Sequence, residues 1–177
     1  MKKILIVVDM QKDFVNGALG TKEAESIVGN VVKKIEAFDG EIYATYDTHY
    51  EDYMETSEGK NLPVPHCIEG SDGWMLDERV ASALNKKDEY TEIQKITFGS
   101  VDLPLILAEE HNMDEVQIEL IGLCTDICVV SNALILKATY PETPISVDAS
   151  CCAGVTPESH KAALTTMRMC QINIIGE

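Results

Sequence analysis

Apolar runs of strand length alternate with helix-period stripes along the whole chain, and that alternation restricts the fold more than any single motif. Ile4 to Val8 is a short β-rich run, read as a buried strand. Lys22 to Phe38 carries Ala24, Ile27, Val28, Val31, Val32, Ile35 and Phe38 at spacings of three and four, a helical stripe that Asp39-Gly40 breaks. Glu41 to Tyr46 reads as a second strand. Residues 50–73 hold Gly59, Pro63, Pro65, Gly70 and Gly73 and read as a long loop, of the kind that often carries function. Leu76 to Asn85 then reads as a helix and Glu89 to Lys95 as a short strand. Pro104 suits an early helical position with Asp102 as cap, in a helix reaching about His111. Val116 to Leu123 follows as a strand. Thr125 or Asp126 can cap a helix from Ile127 to about Tyr140. Pro144 to Val147 is a strand, Thr156-Pro157 opens a helix to about Met169, and Gln171 to Ile175 is a last strand. Such alternation predicts a three-layer α/β/α fold, with a mainly parallel Rossmann-like sheet of about six strands between helices.

The 177 residues fit a single domain over 1–177, long enough to fold without a disulfide or metal staple. The net charge of −16 repels nucleic-acid phosphate and anionic lipid, so neither is an expected partner. No run reaches the length of a membrane span. Met1-Lys2-Lys3 before Ile4 to Val8 is superficially like a signal peptide, but the run is short and Asp9 ends it. A cytoplasmic protein is expected, with its six cysteines reduced.

Ligands of open α/β sheets bind outside the carboxyl ends of the strands, and the reactive residues of this chain fall there. Asp9, Gln11, Asp13 and Phe14 follow the first strand, and Asp47 and His49 the second. Lys95 follows the third, and Cys124, Thr125, Asp126 and Cys128 the fourth. A carboxylate at the end of an apolar strand is either a turn former or a base whose pKa burial raises. Cys128 falls in the first turn of a helix, where thiol pKa is lowered and backbone N–H groups can meet an oxyanion. Cys124, on the turn before it, is the competing nucleophile. Lys95 could hold a neighbouring carboxylate and thiolate ionised. Asp47 and His49, two apart in an extended segment, project to one side. With His66 and either Glu58 or water they make a plausible metal set. His111 and His160 have no evident partner and read as structural.

Two segments carry a family resemblance. Val8-Asp9-Met10-Gln11-Lys12-Asp13-Phe14 resembles the DxQxDF opening of the isochorismatase-like cysteine hydrolases. Gly122-Leu123-Cys124-Thr125-Asp126-Ile127-Cys128-Val129 resembles their G-x-x-T-D-x-C-V nucleophile segment. Lys95 lies between them, and Asp47-Thr48-His49 with His66 resembles the metal motif of the nicotinamidase branch. The resemblance spans nearly the whole chain.

It implies a single hydrolase domain with a catalytic triad of Asp9, Lys95 and Cys128, choosing Cys128 over Cys124. It also implies a cis Leu123–Cys124 bond, with the backbone N–H groups of Cys124 and Cys128 as oxyanion donors. A divalent metal is implied on Asp47, His49 and His66, with Glu58 as fourth ligand; zinc suits this set, and manganese or iron could serve. Phe14 matches an aromatic that lines the ring pocket, and Trp74 is a candidate second wall. The implied reaction is amide hydrolysis of a small molecule, nicotinamide first, another carboxamide or an N-carbamoyl compound second. A homo-oligomer is the family's habit.

Overall fold

The computed structural model describes all 177 residues. Six strands form one all-parallel sheet in the order β3-β2-β1-β4-β5-β6. They are β1 (Lys2–Val8), β2 (Glu41–Asp47), β3 (Thr91–Lys95), β4 (Val116–Leu123), β5 (Ile145–Ala153) and β6 (Asn173–Ile175). The helices are α1 (Lys12–Val15), α2 (Lys22–Ala37), α3 (Ser57–Asn61), α4 (Glu78–Leu84), α5 (Asp102–Glu110), α6 (Val130–Thr139) and α7 (Pro157–Met169). No helix is long and apolar enough to cross a membrane.

The expected three layers are present. A parallel strand packed on both faces needs an unbroken apolar run, and Ile4 to Val8 are all fully buried. Leu5 and Val7 enter the core shared with α2 and α4. Ile4, Ile6 and Val8 enter the core shared with α5, α6 and α7. Alternation along one strand thus joins the two cores. The chain turns from one flank of β1 to the other after β3, so the gap between β1 and β4 is the switch point where ligands collect in such sheets.

Several boundaries differ from the sequence reading. The segment 50–73 is not all loop: it holds a 3-10 turn, Tyr53–Glu55, and α3, capped by Thr56. The short α1 follows directly on the Asp9 turn. Helix α4 begins at Glu78, where the Asp77 carboxylate accepts from Arg79 N. Val101, not Asp102, occupies the cap position of α5. Neither Thr125 nor Asp126 caps the following helix. Cys124 holds that place without a side-chain bond, and Thr125–Val129 form a π turn before α6. The two polar side chains are engaged elsewhere: Thr125 Oγ1 lies 2.8 Å from His160 Nδ1, and the Asp126 carboxylate accepts from Val155 N. Strand β5 runs on to Ala153, with a register shift against β4 between Leu120 and Gly122. Thr156 and Ser159 form the capping box of α7, with Pro157 in its first turn.

Candidate active site

Four strand ends bring four reactive side chains to one point. Asp9 leaves β1 with φ of 46°, the left-handed region that non-glycine residues rarely enter. That turn sends its carboxylate back over the sheet. Thr45 Oγ1 donates to Asp9 Oδ1 at 2.6 Å. Lys95 Nζ lies 2.7 Å from Asp9 Oδ2 and 3.1 Å from Asp47 Oδ1. It also lies 3.6 Å from Cys128 Sγ and 3.0 Å from Thr97 O. The contact with Asp9 is one of charge: Oδ2 sits at ion-pair distance from Lys95 and has no other donor. Asp9, Lys95 and Cys128 are all buried.

Burial, partly countered by the Lys95 charge, raises Asp9 above the ordinary carboxylate range. Burial and then the Asp9 charge push Cys128 well above an ordinary thiol, against the pull of Lys95. The lowering expected from sequence at a helix terminus is therefore opposed by burial and by the Asp9 charge. Burial works against the Lys95 ammonium, but the charges of Asp9, Cys128 and Asp47 overcome it and raise its pKa. Cys124 is half-buried, and burial first, then Asp126, push its thiol up to about 12. The Leu123–Cys124 bond is cis.

Beside this cluster, one donor atom each from Asp47, His49, Glu58 and His66 lies within 4.8 Å of the others. His49 Nε2 is 3.0 Å from Asp47 Oδ2 and 3.6 Å from Glu58 Oε1. His66 Nε2 is 3.5 Å from Asp47 Oδ2 and 3.6 Å from Glu58 Oε1. His66 Nδ1 sits 2.8 Å from Val64 O, so Nδ1 carries a proton and Nε2 is the nitrogen that faces the set. Burial opposes ionisation of Asp47, but hydrogen bonds from His49 and His66 and the Lys95 charge hold it well below the usual carboxylate range. Burial raises Glu58. Two carboxylates and two inward imidazoles form a donor set that a divalent cation fits.

The two aromatics expected at the substrate pocket have different ring neighbours. Phe14 packs edge-on to His66, ring centroids 5.4 Å apart, at the border of the metal set. Trp74 packs at a tilt against Tyr46, ring centroids 5.4 Å apart, and donates from Nε1 to Thr48 Oγ1 at 2.9 Å. It braces the strand end that carries Asp47. The two histidines expected without partners have them: His160 bonds Thr125, and His111 Nε2 lies 2.8 Å from Tyr43 OH and 3.1 Å from Glu41 Oε2.

Sequence reasoning gave no role to Thr45, although strand alternation puts it on the same face as Asp47. A cleft of about 880 Å³ lies elsewhere, over β4, β5 and β6 beside α2, and is lined by Lys33, Lys34, Glu119 and Asp148 among others. Lys34 within it pairs with Glu119 and Asp148. Chemistry rather than volume marks the site.

A doubly wound parallel sheet with a buried thiol, carboxylate and ammonium gathered at its switch point is the arrangement of an amidohydrolase of the isochorismatase-like α/β fold. The chain belongs to the isochorismatase family, whose Isochorismatase domain matches residues 3–176. It is similar to the nicotinamidase/pyrazinamidase PncA of Bacillus subtilis, at 27% identity and TM-score 0.84 over 99% of this chain and all (100%) of that one. It is also similar to a zinc complex of the pyrazinamidase of Pyrococcus horikoshii, at 26% identity and TM-score 0.79 over 100% of both chains. A third likeness is to the N-carbamoylsarcosine amidase of Thermoplasma acidophilum, at 27% identity and TM-score 0.79 over 99% of this chain and 96% of that one.

Proposed function

We propose that residues 1–177 act as one domain that hydrolyses nicotinamide to nicotinate and ammonia through a thioester on Cys128. The observation that carries this reading is the position of Lys95 Nζ, within 3.6 Å of Cys128 Sγ and within 3.1 Å of both Asp9 and Asp47. Asp9, with its raised pKa, takes the thiol proton. The thiolate attacks the amide carbonyl carbon, and the N–H groups of Cys124 and Cys128 receive the oxyanion. Asp9 passes the proton to the leaving nitrogen, ammonia departs and the acyl group stays on sulfur. Asp9 then takes a proton from water. The hydroxide adds to the thioester carbon, and sulfur leaves and regains its proton. Lys95 stays charged throughout and balances whichever anion is present.

Asp47, His49, Glu58 and His66 would hold the divalent ion, zinc being the best match to their donors. When bound, it supplies a positive centre that orients the pyridine nitrogen, directly or through water. Phe14 offers the ring a flat apolar wall next to that centre. The nearby quartet favours a substrate with a ring nitrogen. An N-carbamoyl substrate is the second reading, supported by the likeness to an amidase of that class.

Trapping decides between nucleophiles. Incubation with nicotinamide followed by acid quench and mass spectrometry should find the acyl adduct on Cys128. Cys128→Ala should lower turnover at least about 10³-fold, while Cys124→Ala, which keeps the backbone donor, keeps most of it. The opposite ranking would sink this assignment. An amide panel with ammonia detection ranks nicotinamide against N-carbamoyl compounds.

A further inference from the structure

We propose that Gln11 and Asp13 are positioning residues of the metal centre, Gln11 for the Asp47 carboxylate and Asp13 for the His66 imidazole. The inference rests on the metal-centre reading and deepens it. Gln11 is fully buried, and its carboxamide is spent on the backbone of other segments. Nε2 donates to Asp47 O at 2.8 Å and to Trp74 O at 2.9 Å, and Oε1 accepts from Asp47 N at 2.8 Å. One side chain thus engages both backbone groups of Asp47, as a neighbouring strand would. Only an amide carries the needed donors and acceptor together at this length.

The consequence lies in the Asp47 side chain, which serves two neighbours at once. Oδ1 faces Lys95 at 3.1 Å, and Oδ2 faces His49 Nε2 at 3.0 Å and His66 Nε2 at 3.5 Å. A small rotation of the backbone at Asp47 would improve one set of contacts at the expense of the other. The Gln11 clamp removes that freedom.

Asp13 does the matching task on the His66 side of the donor set. Its Oδ2 accepts from Cys67 N at 2.8 Å and its Oδ1 from Ala18 N at 3.2 Å. Cys67 directly follows His66 and has φ of 47°, a conformation that persists only where the surroundings impose it. Gly73 lies against the same carboxylate, where an added Cβ would come within 2.2 Å of Asp13 Oδ2. Backbone bonds Asp13 N to Gly73 O, Lys12 N to Met75 O and Asp77 N to Met10 O complete the stitching. The opening motif therefore supplies the base and also ties down two ligand-bearing segments from strand β2 and the long connection after it. Neither Gln11 nor Asp13 bonds to Asp9, Lys95 or Cys128 through its side chain.

The test uses the full chain stripped by chelator, then titrated with zinc against a competing indicator and, separately, with cobalt(II) read by its d–d absorption. Gln11→Glu places an acceptor opposite two carbonyls and should weaken zinc binding by about 10–100-fold and alter the cobalt band. Asp13→Ala should weaken it by about 10-fold, and Asp13→Asn, which still offers Cys67 N an acceptor, should restore most of the loss. Far-UV circular dichroism checks that each variant is folded; if Gln11→Glu is not, the Asp13 pair carries the test. Zinc affinity within about 2-fold of the unsubstituted chain and an unchanged cobalt band in folded variants would overturn this assignment alone. No uptake by the unsubstituted chain would overturn the metal-centre reading along with it.

Discussion

Thr45 has no charge and no reactive atom, yet the state of the proposed base depends on it. Its hydroxyl bonds Asp9 Oδ1 at 2.6 Å inside the protein, and that bond pulls the Asp9 pKa down against burial. Thr45→Val keeps the shape and deletes the donor. A buried acceptor left without its partner costs about 1–3 kcal/mol, and here the cost falls on the carboxylate form. The Asp9 pKa should rise further, the acid limb of the kcat/KM profile should move to higher pH, and activity at neutral pH should drop roughly 10-fold. An unmoved acid limb would show that Asp9 is not the group titrating there. The profile as a whole should be bell-shaped, since Asp9 and Cys128 must carry one proton between them.

Among the elements, β1 and β4 pair at the switch point with Val8 opposite Gly122, and only a glycine fits there. Gly122 has φ of 117°, and a Cβ on it would lie 2.1 Å from Val8 O, the carbonyl just before Asp9. Gly122→Ala must therefore push β4 off β1 beneath the triad. We expect a loss of about 2–4 kcal/mol, a drop in melting temperature of roughly 5–15 °C by the usual scaling. Gly29, on the exposed face of α2, has nothing within 4 Å of an added Cβ. Gly29→Ala should raise stability by about 0.5–1 kcal/mol, because it removes unfolded-state freedom at no steric cost. Thermal melts of the two variants side by side check both signs.

For the whole molecule, stability against pH follows from groups that the fold shifts. Burial raises Asp148, but hydrogen bonds from Lys34 and Ser150 outweigh it and lower its pKa below the ordinary 3.8. Asp77 is lowered in the same way by Arg79. A lowered carboxylate contributes stability that is complete above its unfolded value and is lost as pH falls through the folded one. Thermal stability should thus decline as pH drops below 3.8. Asp9 acts with the opposite sign: its pKa is raised, so its ionisation costs stability at neutral pH. Lys95 is raised above 10.5, and its stabilising contribution is present below that value and lost above it. Melting temperature measured from pH 3 to 11 should show an acid decline that Asp148→Asn makes shallower; an unchanged decline would remove Asp148 from the account.

The layer order, the strand ends and the short list of reactive residues were legible in the chain itself. Hydrophobic period is a local property, and Ile4 to Val8 or the α2 stripe declare their faces without any partner. Position at the strand ends then gathered Asp9, Lys95, two competing cysteines and the metal-type residues, and the family resemblance implied the triad and chose Cys128. What the linear order could not carry was which atoms share a proton, a cation or a backbone contact. The clamp of Gln11 on Asp47, the place of Trp74 beside Tyr46 and the π turn under Cys128 join positions far apart or compete among local options. The raised thiol of Cys128 is of the same kind: a helix terminus pulls it down, and only the packed surroundings make burial and the Asp9 charge stronger. Such outcomes depend on distances across the sheet, and those exist only once the chain is folded.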